Sequence, residues 1–286
     1  MKRSILIFGY GYVAQYLSLE LLKFGWDVYC TSRSLRCVSN QNLKIIDFKL
    51  ENIIPVLNSV EMILSTVPPN DNDIDPVLKI ISKKIISLKD NYLWLGYLSS
   101  TSVYGDHKGE WVNELTICNA NSPKIEKRLF AEKSWINLYS QYNLPTHIFR
   151  LAGIYGPANN CLERIKKGKN FTTIKKGHYF SRIHVLDISH ILIRSMLNPT
   201  PGEIYNVSDD EPAPLNVVDQ YGAELLSMPQ LLEIPFEKTH LSNAMNLFFS
   251  ANKRISNEKI CRALNIKLIY PNYRIGLSKG CLYYSP

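Results

Sequence analysis

The stretch "SILIFGYGYVA", residues 4–14, constrains this chain more than any other. Residues 4–8, "SILIF", are a short apolar run ending at glycine, which suits a central parallel strand. Two glycines interrupt it at once. Apolar residues then recur at 13, 17, 21 and 22 with helical spacing, and Gly25 is placed to end a helix over 12–24. Gly9, Gly11 and Ala14 make a GxGxxA pattern at that strand–turn–helix junction. Gly9 permits the tight turn, Gly11 admits a phosphate to the backbone, and Ala14 lets the helix pack closely on the sheet. The amides of Gly9, Tyr10, Gly11, Tyr12 and Val13 are thus candidates to hold a pyrophosphate at the positive end of the helix.

The rest of the chain continues the alternation. "DVYCT" (27–31), "LKIIDF" (43–48) and "EMILST" (61–66) read as strands, the last stopped by Pro68 and Pro69. A helix over about 75–89 leads to the strand "YLWLGYL", and a helix over about 123–142 leads to "THIFRL" (146–151). Such alternation predicts an α/β protein with a Rossmann-like, doubly wound parallel sheet. After Gly156 the regularity fades. "RIHVLDISHILIRSM" and "GEIYNVS" (202–208) return to the sheet, while the proline-rich C-terminal third suits a smaller irregular lobe for substrate. The expected division is residues 1–160 with 183–210 as the dinucleotide-binding domain, and 161–182 with 211–286 as the substrate lobe.

The net charge of +8 favours an anionic ligand, and with no nucleic-acid motif in view a small molecule is the simpler partner. The six cysteines show neither CxxC pairing nor zinc-ligand spacing, so no metal is expected and the thiols read as reduced. No apolar run is long enough to span a bilayer. The chain reads as cytoplasmic, without membrane partner, and as a monomer or homodimer.

The second strand bears on which dinucleotide is bound. An acid at its end would bind a ribose 2′-hydroxyl, but this chain has Thr31, Ser32 and Arg33 there. A carboxylate would repel a 2′-phosphate, whereas Ser32 and Arg33 can hydrogen-bond it and neutralise it, which favours NADP over NAD. The alternative is an exposed arginine beside a less selective site. Asp47 is placed to meet the adenine edge, and Ser65 and Val67 end the fourth strand where the cofactor ribose would lie.

One strand ends in an unusual row of hydroxyls, Ser99 to Ser102, followed by a loop carrying Asp106, His107, Glu110 and Trp111. Ligands of open parallel sheets sit beyond such strand ends, although hydroxyls there also cap backbone groups. Between Arg164 and Arg182 lie seven basic residues and no acidic ones, which fits either a solvated face or an anion site.

With the glycine turn, "SSTSVYGD", "RLAGIYGP" and "RIHVLDIS" in this order, the chain resembles the extended short-chain dehydrogenase/reductase superfamily, the NAD(P)-dependent sugar epimerases and dehydratases. "GDHKGEWVNE", "YNVSDDEPAP" and "SANKRISNEKI" are similar to its atypical YeeZ-type branch. The resemblance covers nearly the whole chain. It implies that Ser100, with Thr101 beside it, polarises a substrate oxygen and that Ser99 lies at the cofactor. It also implies a Tyr four residues before a Lys on the next helix, the Lys lowering the Tyr pKa. Here Lys124 and Arg128 occupy those positions, so Tyr104, His107 and Glu110 become alternative acids. Arg182, His184 and Arg254 match segments that contact substrate in that superfamily, and Trp111 joins them from the loop. His190, on an apolar helix, reads as structural.

Two functions follow. The first is an NAD(P)-dependent oxidoreductase, epimerase or dehydratase acting on a small hydroxylated, anionic, nucleotide-sugar-like substrate. The second is an NADP(H)-binding sensor or interaction protein that has lost the Tyr-Lys pair.

Overall fold

The structure is a computed structural model, and the description covers residues 3–33, 40–70, 75–120, 122–239 and 243–281. Residues 34–39, which follow Arg33, lie outside it. In chain order the first half holds β1 (Ser4–Phe8), α1 (Tyr12–Lys23), β2 (Asp27–Ser32), β3 (Leu43–Asp47), α2 (Leu50–Leu57), β4 (Met62–Ser65), α3 (Pro76–Ser87), β5 (Trp94–Ser100), β6 (Trp111–Val112), α4 (Pro123–Tyr142) and β7 (Thr146–Leu151). The second half adds β8 (Gly153–Tyr155), α5 (Cys161–Lys166), β9 (Phe171–Ile174), β10 (Arg182–His184), α6 (Val185–Leu197), β11 (Ile204–Val207), α7 (Leu215–Leu225), β12 (Leu232–Pro235), α8 (Asn243–Phe249) and β13 (Arg254–Ile255).

Seven strands form one parallel sheet in the order β11-β7-β5-β4-β1-β2-β3. The chain winds outward from β1 in one direction, then returns to β4 on its other side, so the topological switch lies between β1 and β4. Their register pairs Ile7 with Leu64 and Phe8 with Ser65, which brings the Gly9 turn beside the exit of β4. Every residue of β1 is buried, as expected for a strand with helices on both faces. Helix α1 turns Val13, Ala14, Leu17 and Leu21 to the sheet. On the face covered by α3 and α4, Leu6, Phe8, Ile63, Leu95 and Tyr97 pack against Val77, Ile81, Ala131 and Trp135.

The chain divides into two compact units. The first is residues 1–103, 120–150 and 188–205; the second is 104–119, 151–187 and 206–286. The loop after β5 groups with the second unit. Asp75 caps α3 through the amides of Val77 and Leu78, and its other oxygen accepts from Trp135 Nε1 at 2.6 Å. Helix α2 was not anticipated in the sequence; it is short and carries Pro55 inside. Among the described residues no helix is long and apolar enough to cross a membrane.

Candidate functional site

The glycine turn is built as a cradle. Gly9 has φ +91°, and a Cβ there would lie 2.7 Å from Thr66 Oγ1 and 3.1 Å from Val67 Cγ2. Both its conformation and its surroundings therefore require glycine. The turn is pinned from two sides: Gly9 N donates to Thr31 Oγ1 at 3.0 Å and Tyr10 N to Thr31 O at 2.9 Å. Just past β4, Thr66 Oγ1 donates to the carbonyls of Phe8 and Gly9.

Gly11 differs. It is the N-cap of α1 in an extended conformation, and a Cβ added to it would meet nothing within 4 Å. No packing constraint excludes a side chain there, so the open space in front of the backbone is what a bound group would need. No side chain caps α1 and no acid sits in its first turn, leaving the helix end positive. The residues fit a dinucleotide pyrophosphate.

Around the turn, Arg33 is exposed just past the end of β2, and Ser32 is paired in register with Asp47. Asp47 is already engaged: Oδ1 accepts from Phe48 N at 3.1 Å and Oδ2 lies 3.2 Å from Lys49 Nζ. Lys49, which sequence reasoning passed over, thus adds a second cation at this edge. Val67 lines the turn, but Ser65 is fully buried, with its hydroxyl unpartnered among the described residues.

The hydroxyl row at the end of β5 separates into different roles. Ser99 is buried and donates to Glu132 Oε1 at 2.5 Å, so it faces α4 and not a ligand. Glu132 in turn accepts from Arg150 of β7, with Nη2 to Oε2 at 2.7 Å and both partners buried. Ser100 is half-buried, and its oxygen accepts from Ser102 N at 3.2 Å, which leaves its own proton to donate. Backbone capping thus uses the oxygen of Ser100 and not its proton. Thr101 is buried.

On α4, Lys124 is exposed in the first turn. A lysine there supplies no phenol. Arg128, one turn on, is half-buried, makes no hydrogen bond or ion pair among the described residues, and sends its field to the buried phenol of Tyr97. Burial raises the Tyr97 pKa, and Arg128 opposes that rise.

The second unit holds the remaining expected residues. Tyr104 is fully buried and donates to Asn206 Oδ1 at 2.8 Å, so its phenol is structural and the expectation of an acid there is corrected. His107 Nε2 donates to Tyr104 O at 3.0 Å, while Glu110 is exposed. His184 is also corrected: it is fully buried, with its ring 4.0 Å from that of Tyr270 and Gly280 packed against it. Desolvation pulls its pKa down to about 4. A neutral, enclosed imidazole cannot grip an anionic substrate.

Arg182, by contrast, lines a cavity of about 440 Å³ with Arg164, Lys169, Tyr155, Phe248 and Tyr273. Its Nη1 donates to the carbonyls of Phe180 and Ala213, fixing the guanidinium in place. Asp219 holds Lys169 at 2.5 Å and lies 3.9 Å from Arg164. Asp209, also buried, acts on Arg182 as well, so three cations stand against two acidic groups and the wall keeps a positive balance. The basic run divides: Lys167 and Lys176 are exposed and away from the cavity lining, while Arg164, Lys169 and Arg182 line the cavity.

Arg150 and Glu132 were missed from sequence, although an arginine inside "THIFRL" was a signal, because a charge in a buried strand needs a partner.

The fold is that of the extended short-chain dehydrogenase/reductase superfamily. A dTDP-glucose 4,6-dehydratase from Bacillus anthracis in complex with NAD superposes with a TM-score of 0.80 at 17% identity, covering 97% of this chain and 95% of that one. A UDP-glucose 4-epimerase from Thermotoga maritima with UDP-glucose gives 0.79 at 16%, covering 96% of each. The chain belongs to the family of a functionally unknown conserved protein from Silicibacter pomeroyi, to which it is 39% identical over 96% of this chain and 97% of that one, with a TM-score of 0.88. No protein-family model and no curated protein matches the chain.

Proposed function

We propose that this chain is an NAD(P)-dependent oxidoreductase, epimerase or dehydratase acting on a small hydroxylated, anionic substrate of nucleotide-sugar type, with NADP favoured over NAD. The observation that carries the reading is Gly11, a glycine that no packing requires, at the uncapped start of α1 and at the switch point of a doubly wound sheet. Gly9, Tyr10, Gly11, Tyr12 and Val13 would hold the pyrophosphate, Arg33 and Lys49 a 2′-phosphate, and Arg128 a ribose hydroxyl. The coenzyme, when bound, supplies hydride exchange. Ser100 would donate its hydroxyl proton to a substrate oxygen. Within the second unit, the positive wall of Arg164, Lys169 and Arg182 offers a place for an anionic group. The dehydratase and epimerase whose fold it shares act on dTDP-glucose and UDP-glucose, which supports the substrate class.

One observation favours a second reading, a coenzyme-binding sensor without turnover. Tyr104 is locked to Asn206, and Lys124, exposed where a tyrosine was expected, carries no phenol. The two readings separate in one experiment. The protein is incubated with NADP(H) and a panel of nucleotide sugars, and product is followed by NMR. Turnover that falls at least tenfold in Ser100→Ala, with coenzyme affinity unchanged, supports the enzyme. Tight coenzyme binding with no turnover on any substrate supports the sensor.

A further inference from the structure

The segment Asn252–Arg254 clasps the loop that follows β5. His107 N and Gly109 N both donate to Asn252 O at 3.0 Å, Asn252 N donates to Asp106 Oδ1 at 2.7 Å, and Arg254 N donates to Glu110 O at 2.9 Å. Lys253 Nζ reaches Gly105 O at 3.0 Å. β13 pairs with β6 so that Arg254 stands opposite Trp111. All these residues belong to the second unit.

Within this clasp the Arg254 guanidinium is held on several sides. Its carbon lies 5.4 Å from the Trp111 ring centroid and 5.3 Å from that of Tyr179, and its Nε donates to Gly109 O at 2.6 Å. The two terminal nitrogens have no hydrogen bond or ion pair among the described residues, and Glu110, the adjacent acid, makes no ion pair with them. A planar cation whose stem and rings are fixed has lost its rotamer freedom before any ligand arrives. What remains is a fork of N–H groups matched to two oxygens of one oxyanion. Trp111, 51% exposed, forms the open wall.

This place is distinct from the cavity of Arg182. Along residues 179–182 the side chains alternate: Tyr179 lies by Arg254 and Ser181 Oγ accepts from Ile255 N. Phe180 stacks on Phe248 at 4.2 Å, and Arg182 enters the cavity wall. The one stretch therefore serves two cationic places on its two sides.

We propose that Arg254, held by Trp111 and Tyr179, is a preformed site for a small oxyanion, the phosphoryl or carboxylate group of a ligand. The assignment of that ligand to the substrate rests on the function proposed above; the site itself does not.

Trp111 provides the readout, because the other three tryptophans, Trp26, Trp94 and Trp135, are 5%, 0% and 0% exposed. Intrinsic fluorescence is followed while sodium phosphate, and separately sodium acetate, is added to the full-length protein at constant ionic strength. A saturable change with at least one of the two anions is expected, and the tighter one identifies the group. Trp111→Phe should remove the optical signal, with residual binding seen by calorimetry a few-fold weaker. Arg254→Lys, which keeps charge but loses the fork, should weaken binding about tenfold, and Arg254→Ala further. Gly11→Val, which blocks the coenzyme turn, should leave the anion response unchanged, so failure of the coenzyme reading and failure of this site are told apart. No saturable response with either anion, or an undiminished response in Arg254→Lys and Arg254→Ala, overturns the proposal.

Discussion

Ser99 Oγ donates to Glu132 Oε1 at 2.5 Å, and this one contact ties the end of β5 to the middle of α4. Because Glu132 also receives Arg150, three elements of the first unit meet at one buried carboxylate. Glu132 is one helical turn from Arg128. The pairing therefore sets how the start of α4 is held over the strand ends. Replacing Glu132 by Ala takes the carboxylate away from the buried Arg150 guanidinium, at an expected cost of about 3–5 kcal/mol. Chemical denaturation measures it. Replacing both partners by apolar residues of similar size should cost less than the single change.

The two glycines of the turn should behave differently. Gly9→Ala meets Thr66 Oγ1 and a positive φ, and a loss of about 1–3 kcal/mol is expected. Gly11→Ala should fold with wild-type stability, since its backbone is extended and its Cβ would stand in open space. Coenzyme titrations should nonetheless show both variants impaired. Full affinity in Gly11→Ala and in the bulkier Gly11→Val would remove the reason given for that glycine.

Arg33→Ala is expected to weaken NADP by about tenfold while NAD changes little, because only the former carries a 2′-phosphate for the guanidinium. Lys49→Ala should act in the same direction and less strongly, being partly engaged by Asp47. Equal losses for both coenzymes in both variants would contradict a 2′-phosphate at this edge.

His147 gives a pH prediction. It is fully buried, Nδ1 lies 3.0 Å from Leu95 O, and Nε2 accepts from Thr200 N at 2.9 Å. Nδ1 therefore carries the proton in a neutral ring. Desolvation lowers its pKa to about 4, below the ordinary 6.5. The unfolded chain takes up the proton first, so this group's contribution is full above about pH 6.5 and is lost as the pH falls towards 4, by up to about 3 kcal/mol. His178 and His184, also lowered to about 4, steepen the loss. NMR should show no titration of His147 between pH 8 and 5.

How much of this was visible in the amino-acid order depends on the range of the interaction. Alternating strands and helices are local patterns, and β1, α1, α4 and the sheet class follow from them. The glycine turn is local too, and its context was readable. The short helix α2 was not, since Pro55 hides a helical pattern in eight residues. Nor were the partners of side chains. Tyr104 and His184 look available in the sequence, but whether a phenol or imidazole points outward is settled by Asn206 and Tyr270, far away in the chain. The arginine of "THIFRL" announced that it needed a carboxylate without saying which.

The central claim is that the backbone past β1 receives a dinucleotide pyrophosphate. Isothermal calorimetry of the wild-type protein with NADPH and NADH, repeated on Gly11→Val, tests it most directly. Stoichiometric binding is expected in the wild type, tighter for NADPH, and abolished in a variant that still unfolds at the wild-type midpoint. Absence of heat with either coenzyme, or binding untouched by the valine, would contradict it.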